Sequence, residues 1–317
     1  MQPRMQAKET SRIEHIPIER NEGWKVWWQL TRPHTLTAAF VPVFIGTVIS
    51  YQYNQSLHVG LFLAMLTASL FIQAATNMFN EYYDHKRGLD NEHSVGIGGA
   101  IVRDGVKPKT ILTLAISLCI GAVLLGIYIC MNSTWWIALV GSISILVGYL
   151  YTGGPFPIAY TPFGELMSGL FMGVVIILIS FYIQTGVITD ISILVSIPIA
   201  ILIGAINLSN NIRDLDGDKE NGRKTLAILV GRNNAIKILA AMFIVSYLFV
   251  FALILFNDLT PWLLIVLISL PKPIKAVKQF IGKTKPLEMM PAMKATAQTN
   301  TLFGILVSIA FLFSYLF

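Results

Sequence analysis

Two short stretches of this chain carry side chains that could act together on a charged ligand. The first, NMFNEYYDHKRGLD, spans residues 77 to 90 with Glu81, Asp84 and Asp90 and is followed by Glu92 and Asp104. The second, NLSNNIRDLDGDKENGRKT, spans residues 207 to 225 with Asp214, Asp216, Asp218 and Glu220, so nine of the seventeen acidic residues sit in two places. Asn77, Asn80, Glu81 and Asp84 recur as Asn207, Asn210, Asn211 and Asp214 at a constant offset of 130 residues. Separations of three, four and seven put each set on one helix face. Carboxylate and amide oxygens suit a hard cation, and Mg²⁺ commonly binds through a few carboxylates together with substrate phosphates. Lys86, Arg87, Arg103, Lys107, Lys219, Arg223 and Lys224 stand close by, and such groups take phosphate oxygens, Arg in bidentate fashion. Glycines in GIGGAIVRDG, residues 96 to 105, would let backbone N–H groups approach an anion. Acid, metal and base together read as a diphosphate site. A single acidic and basic loop after an apolar run is usually only solvated surface, but the recurrence of Asn at helical spacing argues against that reading here.

The elements that must position these residues lie in a membrane. Of 317 residues 55% are hydrophobic and 13% charged, and the mean hydropathy is +0.66, whereas soluble domains carry about 25% charged residues. Nine apolar spans fit the chain, at about 35–52, 59–79, 110–131, 134–151, 163–183, 191–210, 235–256, 261–271 and onward, and 300–317. Pro271 and Pro273 interrupt the eighth, which is therefore expected to be short, tilted or broken. Lys and Arg test the layout: six fall in residues 1–34, five in 80–109, six in 211–237 and six in 272–294, which accounts for all 23. The alternate connections carry none, which puts the N-terminus in the cytoplasm and the C-terminus outside. Basic residues placed this way explain the net charge of +6 without any nucleic-acid partner. Trp24, Trp27, Trp28, Trp135, Trp136 and Trp262 fit interfacial aromatic belts, and Trp24 to Leu30 reads as a short helix lying on the membrane surface.

No secretory signal is visible in the polar first 34 residues. Cys119 and Cys130 lie on one apolar stretch, about 16 Å apart as helix, too far to bridge. The expected fold class is an all-α integral membrane protein, a nine-transmembrane-helix bundle with an internal parallel four-helix repeat. In that layout residues 1–34 form a cytoplasmic N-terminal segment and 35–317 one transmembrane domain, with halves at about 35–160 and 161–317. The oligomeric state stays open.

RPHTLTAAFVPV (32–43), NEYYDHKRGLD (80–90), YTGGPFPIAYTPFGE (151–165) and NNIRDLDGDKENGRKTLAILVG (210–231) resemble the UbiA superfamily of intramembrane prenyltransferases, and the resemblance runs from about residue 30 to the end. They look most like its branch that prenylates 1,4-dihydroxy-2-naphthoate in menaquinone synthesis. The resemblance implies a Mg²⁺-dependent enzyme of the cell membrane whose substrates are a polyprenyl diphosphate and 1,4-dihydroxy-2-naphthoate. It implies Asn80, Glu81, Asp84, Asn210, Asp214 and Asp218 as metal ligands, with Asp84 and Asp214 central to catalysis. Lys86, Arg87, Arg103, Lys219, Arg223 and Lys224 are the candidates for the diphosphate, and Arg32, Asn77 and Tyr160 for the acceptor. Tyr151, with Tyr82, Tyr83, Tyr149, Phe156 and Tyr160, is a candidate to face an allylic cation, although packing explains each aromatic equally well. Glu165 is a candidate to orient an acceptor hydroxyl or act as base, and His34 and His85 are neighbours.

Two departures stand out. Glu81 replaces the Asp common in the superfamily, and Tyr151 is followed four residues later by Pro155 rather than Lys. Another aromatic acceptor (4-hydroxybenzoate, homogentisate or haem) would use the same machinery. A secondary transporter also uses repeats and intramembrane polar residues, but its site normally lies near the bilayer midplane rather than at helix ends.

Overall fold

The computed structural model describes residues 22–89, 99–257 and 259–316. The N-terminal segment up to residue 21, Asp90, Glu92 and the first glycines of the 96–105 run lie outside the described residues. Everything described is helix, turn or irregular chain, with no strand among the described residues. The elements are α1 (Trp24–Leu30), α2 (Pro33–Asn54), α3 (Val59–Lys86), α4 (Pro108–Met131), α5 (Trp136–Thr152), α6 (Gly164–Ser168), α7 (Ile176–Thr185), α8 (Asp190–Glu220), α9 (Leu226–Val230), α10 (Arg232–Phe256), α11 (Pro271–Phe280) and α12 (Pro286–Leu316). A π-helical segment, Gly169–Val175, joins α6 to α7, so Gly164–Thr185 runs as one rod.

Among the described residues seven helices are long and apolar enough to cross a membrane, and α5, at 17 residues, is a shorter apolar helix. The stretch expected as the eighth span is broken: a 3₁₀ helix, Pro261–Ser269, passes into α11 at the prolines. Three helices also outrun their expected limits. Helices α3 and α8 continue to Lys86 and Glu220, because the Asn and Asp residues past the apolar run stay helical and turn inward rather than opening a loop. The Lys-rich stretch before the last span is helical as well: α12 starts at Pro286 and buries Met289, Ala292 and Met293 on its inner side.

Local signals explain the ends. Proline, which has no N–H to leave unsatisfied, opens α2 and α4. A capping box between Thr189 and Ser192 opens α8. Lipid supplies little hydrophobic drive for helix association, so packing relies on small residues that let backbones close up. A Cβ on Gly173 would stand 2.5 Å from Ala200 Cα, and one on Gly46 2.5 Å from the Ile177 carbonyl oxygen. These contacts clamp the π segment to α8 and α2 to α7. Helix α3 packs along α4, while α2, α8, α10 and α12 surround the largest core, with Ile45, Phe181, Ile199, Leu239 and Phe303 at its centre. Outside it, Ile120, Leu124, Leu146, Leu255 and Ile268 stay exposed, as hydrocarbon contact requires. In α1 the three tryptophans are exposed, and Val26 and Leu30 are buried against Ala75, Met78 and Phe79.

Candidate active site

Helices α3 and α8 bring the two repeated motifs to one end of the bundle. Asn77 and Asn80 of α3 and Asn207 and Asn210 of α8 all line a single cavity of about 320 Å³, joined there by Arg32, Thr35, Gln73 and Tyr151. Beyond this polar end the walls are mostly apolar, formed by residues such as Ala39, Ile72, Phe171, Ile176 and Ile203. The offset of 130 residues thus places equivalent amides around one opening.

Above the amides, Arg223 joins the motifs. Its Nη2 donates to Asp84 Oδ1 at 2.8 Å and its Nη1 to Asp218 Oδ1 at 3.0 Å. Helix α8 ends at Glu220 and is capped by Asn221; Gly222, at φ 75°, reverses the chain, and the Arg223 N–H returns to the Asp218 carbonyl at 3.0 Å. Glycine is suited to that left-handed position, and the reversal aims Arg223 back at the cup. Burial works against the Arg223 charge, yet Asp84 and then Asp218 outweigh it and hold the guanidinium above its ordinary pKa. The same guanidinium lies 4.9 Å from the Tyr160 ring centre, and the Lys224 N–H donates to the Tyr160 carbonyl at 2.9 Å.

Asn80 and Arg32 complete the α3 side. With its amide turned to satisfy both neighbours, Asn80 donates to Asp84 Oδ2 at 2.7 Å and accepts from Arg32 Nη1 at 3.0 Å. Arg32 holds φ 50°, a left-handed backbone that a non-glycine residue adopts at a cost of about 1–3 kcal/mol. Its side chain also stands 3.8 Å from Glu81 Oε2. Glu81 itself is 1% exposed, and its Oε1 accepts from the N–H groups of Gly99 (2.8 Å) and Ile101 (3.2 Å), so it pins the loop before α4. Asn77 donates to the Thr31 carbonyl and the Thr35 hydroxyl, and Gln73 donates to the Thr35 hydroxyl and to Asn77 Oδ1.

On α8, Asp214 accepts from its neighbour Arg213 through both oxygens, at 2.6 and 2.5 Å. Glu165 accepts from Asn211 at 2.8 Å through Oε1, while Oε2 is buried with no hydrogen-bond partner. Tyr151 lies beside Asn207 and Glu165.

The remaining cations differ in place. Arg87 donates to the Thr152 and Gly154 carbonyls and packs against Tyr83 and Tyr160, so it ties the end of α3 to the YTGGP turn. Arg103 reaches Gln29 and chelates Asp104 at 2.8 Å; the hydrogen bond to Asp104, opposed by partial burial, raises the Arg103 pKa. Lys86, Lys219 and Lys224 are exposed at the rim. Tyr82, Tyr83 and Tyr149 form an edge-to-face cluster with Phe79, and Phe156 points outward, 89% exposed. Sequence spacing gave no role to Arg213, Thr35 or Gln73, and Asp104 entered only as one of the clustered acidic residues; Gln73 lies four residues before Asn77 on the same face.

The donor set suits magnesium. Glu81 Oε2 and Asp218 Oδ2 are buried oxygens without hydrogen-bond partners. Among the described residues no three His, Cys, Asp or Glu side chains converge as a closed cage, and magnesium needs none where substrate phosphates complete its shell.

A membrane-type helical bundle with paired acid and amide motifs over an apolar cavity defines a class of intramembrane site for an amphiphilic anion. Residues 39–294 match the UbiA prenyltransferase family, and the chain belongs to it. It is a multi-pass membrane protein. It is 61% identical over 291 residues to the 1,4-dihydroxy-2-naphthoate octaprenyltransferase of Bacillus subtilis (strain 168), covering 92% of this chain and 93% of that protein. Among solved structures, a UbiA homologue from Archaeoglobus fulgidus bound to GPP and Mg²⁺ superposes with a TM-score of 0.61 at 17% identity, over 89% of this chain and 99% of the other. An apo UbiA homologue from Aeropyrum pernix K1 gives 0.67 at 14% identity, over 87% and 98%.

Proposed function

We propose that the chain transfers a polyprenyl group from an allylic prenyl diphosphate to 1,4-dihydroxy-2-naphthoate, releasing CO₂ and diphosphate and forming demethylmenaquinol for menaquinone synthesis. The activity for which the Bacillus subtilis relative is named supports the acceptor. The observation that carries the chemistry is the cavity: four motif amides at its polar end, the Asp84–Arg223–Asp218 bridge above them, and apolar walls below. A prenyl diphosphate has that same division between charged head and hydrocarbon tail.

Asn80, Glu81 and Asp84 with Asn210, Asp214 and Asp218 would hold Mg²⁺, directly or through water. The ion would supply electrostatic stabilisation of the charge that develops on the departing diphosphate. Arg223 shares that work, and Lys86, Lys219 and Lys224 meet the diphosphate at the rim. Arg87 and Arg103 act on the walls, through the carbonyls and carboxylate they hold. When the carbon–oxygen bond breaks, the allylic cation faces Tyr151 and Tyr160 in a site closed to bulk water. The electron-rich ring attacks, a carbon–carbon bond forms, and loss of CO₂ and the carboxyl proton restores the quinol. Asn77 and Arg32 orient the acceptor, and Glu165 takes a hydroxyl proton through its free oxygen as the ring attacks and returns it to that oxygen as CO₂ leaves.

In the membrane, α5 and the broken Pro261–Phe280 segment add two passes to the seven long helices. The chain then makes nine passes in two parallel halves, with its N-terminus in the cytoplasm and its C-terminus outside the cell membrane. The test is a product assay in lipid with a polyprenyl diphosphate, 1,4-dihydroxy-2-naphthoate and, as rival acceptor, 4-hydroxybenzoate, with and without Mg²⁺. Mg²⁺-dependent demethylmenaquinol with CO₂ release is expected. Prenylated hydroxybenzoate as the product would reassign the acceptor, and absence of any prenylated product would refute the reading.

A further inference from the structure

One hydrogen-bond acceptor in the cavity is left over, and the backbone sets its direction. Asn77 donates to the Thr31 carbonyl at 2.8 Å and to the Thr35 hydroxyl at 2.9 Å, so both of its amide protons are engaged. A backbone carbonyl only accepts, which turns the Asn77 nitrogen toward Thr31 and leaves its oxygen to Gln73, one helical turn earlier on α3. Gln73 meets it with nitrogen: Nε2 lies 3.5 Å from Asn77 Oδ1 and 3.3 Å from the Thr35 hydroxyl oxygen. Thr35 in turn gives its proton to the Arg32 carbonyl at 2.9 Å. Turning the Gln73 amide over would set two carbonyl oxygens against each other, so the order of the chain is fixed. Every donor in it is engaged. Gln73 Oε1 remains, on a residue that lines the cavity, with no hydrogen-bond partner among the described residues.

A lone acceptor in that place calls for a proton on the ligand. In 1,4-dihydroxy-2-naphthoate the 1-hydroxyl is ortho to the carboxylate and closes an internal hydrogen bond onto it. The 4-hydroxyl is meta to the carboxylate and has no partner within the molecule. The carboxyl carbon and the 4-hydroxyl oxygen are about 5 Å apart across the ring, and a hydrogen bond of about 3 Å at each end makes the whole span about 11 Å. Arg32, the candidate for the carboxylate, donates to Asn80 at 3.0 Å. From Asn80 back to Gln73 is seven residues, a rise of about 10 Å along α3. With the carboxylate on Arg32, Gln73 stands at the distance where the 4-hydroxyl needs an acceptor.

We propose that Gln73 is a specificity-determining residue: its Oε1, aimed by the chain through Asn77 and Thr35, accepts from the 4-hydroxyl of the bound acceptor and selects against naphthoates that lack it. The inference rests on the prenyl-transfer reading above. A site built to pair with a hydroxyl rejects the analogue without one, because the protein acceptor is then left unpaired. Asn77 acts in this arrangement through Gln73, by holding its amide the right way round.

The experiment measures dissociation constants of 1,4-dihydroxy-2-naphthoate and 1-hydroxy-2-naphthoate, without oxygen and without prenyl donor, for the full-length wild type and Gln73→Met in lipid nanodiscs. Methionine keeps the length of the side chain and removes the acceptor. Wild type should bind the dihydroxy compound about ten- to a hundredfold tighter; no preference would overturn the proposal before any variant is made. Gln73→Met should weaken the dihydroxy compound about tenfold or more and shift the 1-hydroxy compound by less than about threefold, with the loss in turnover seen in KM rather than kcat. Equal weakening of both compounds, an unchanged preference or a loss confined to kcat would overturn it. Formation of demethylmenaquinol by the wild type secures the underlying reading separately; its absence would overturn that reading and the role of Gln73 with it.

Discussion

Replacing Arg223 by Gln tests whether the two motifs form one electrostatic unit. Arg223 contacts Asp84 at 2.8 Å and Asp218 at 3.0 Å, with side chains only 13%, 14% and 10% exposed. At an effective dielectric near 20, each contact is worth ~4 kcal/mol before desolvation, and desolvating three charges offsets most of that. Removing the guanidinium leaves both carboxylates buried and facing each other, and breaking such a pair costs about 3–5 kcal/mol. Asp84 keeps its donor from Asn80, which favours the lower end, about 3 kcal/mol. For a chain of this size the midpoint of thermal unfolding in detergent should fall by about 5–10 °C. Millimolar Mg²⁺ should restore part of the loss, because a divalent cation can lie between the same carboxylates. Adding Asp84→Asn should relieve the like-charge contact and give a coupling energy of about 1–3 kcal/mol. Turnover should drop about 10²- to 10³-fold, as for loss of a charge-stabilising donor. An R223Q protein that melts and turns over like wild type would refute the bridge.

Other consequences follow from single contacts. Glu165→Gln keeps an oxygen for Asn211 but removes the base, so kcat should fall about 10²-fold or more with KM little changed; steady-state kinetics on the naphthoate decide it. Arg87→Gln frees the Thr152 and Gly154 carbonyls and should lower stability by about 2–3 kcal/mol, read as a lower melting temperature and faster proteolysis in the YTGGP turn. Asn300 is 0% exposed in α12, with neither amide atom hydrogen-bonded among the described residues. Asn300→Leu should therefore raise stability by about 1–2 kcal/mol without loss of turnover; a lower melting temperature would mean the amide has a partner.

Residue spacing revealed much of this molecule because the signals repeat. Apolar runs fixed most of the spans, and the shared offset of Asn77, Asn80 and Asp84 from Asn207, Asn210 and Asp214 marked two helix faces, whose asparagines meet at one cavity. Less was legible where neighbours compete. Spacing shows that Asp214 and Arg103 share a region with the motifs, but not that adjacent Arg213 and Asp104 engage them first. Nor does it show that Glu81 turns one oxygen to the Gly99 and Ile101 N–H groups. Helix limits were blurred for a related reason: polar residues at the ends of α3 and α8 look like loop until the opposite helix gives them partners. Pro271 and Pro273 foretold the break after the 3₁₀ segment, while the π turn at Gly169–Val175 depends on Ala200 of another helix and leaves no local mark.

The two-motif cup is tested most directly by Mg²⁺-dependent prenyl transfer in Asp84→Ala and Asp214→Ala, one carboxylate from each helix, with circular dichroism to confirm that the bundle persists. Both variants should keep their helical spectrum and lose Mg²⁺-dependent turnover by at least about 10²-fold. Near-normal turnover in both would contradict a catalytic site built from the paired motifs.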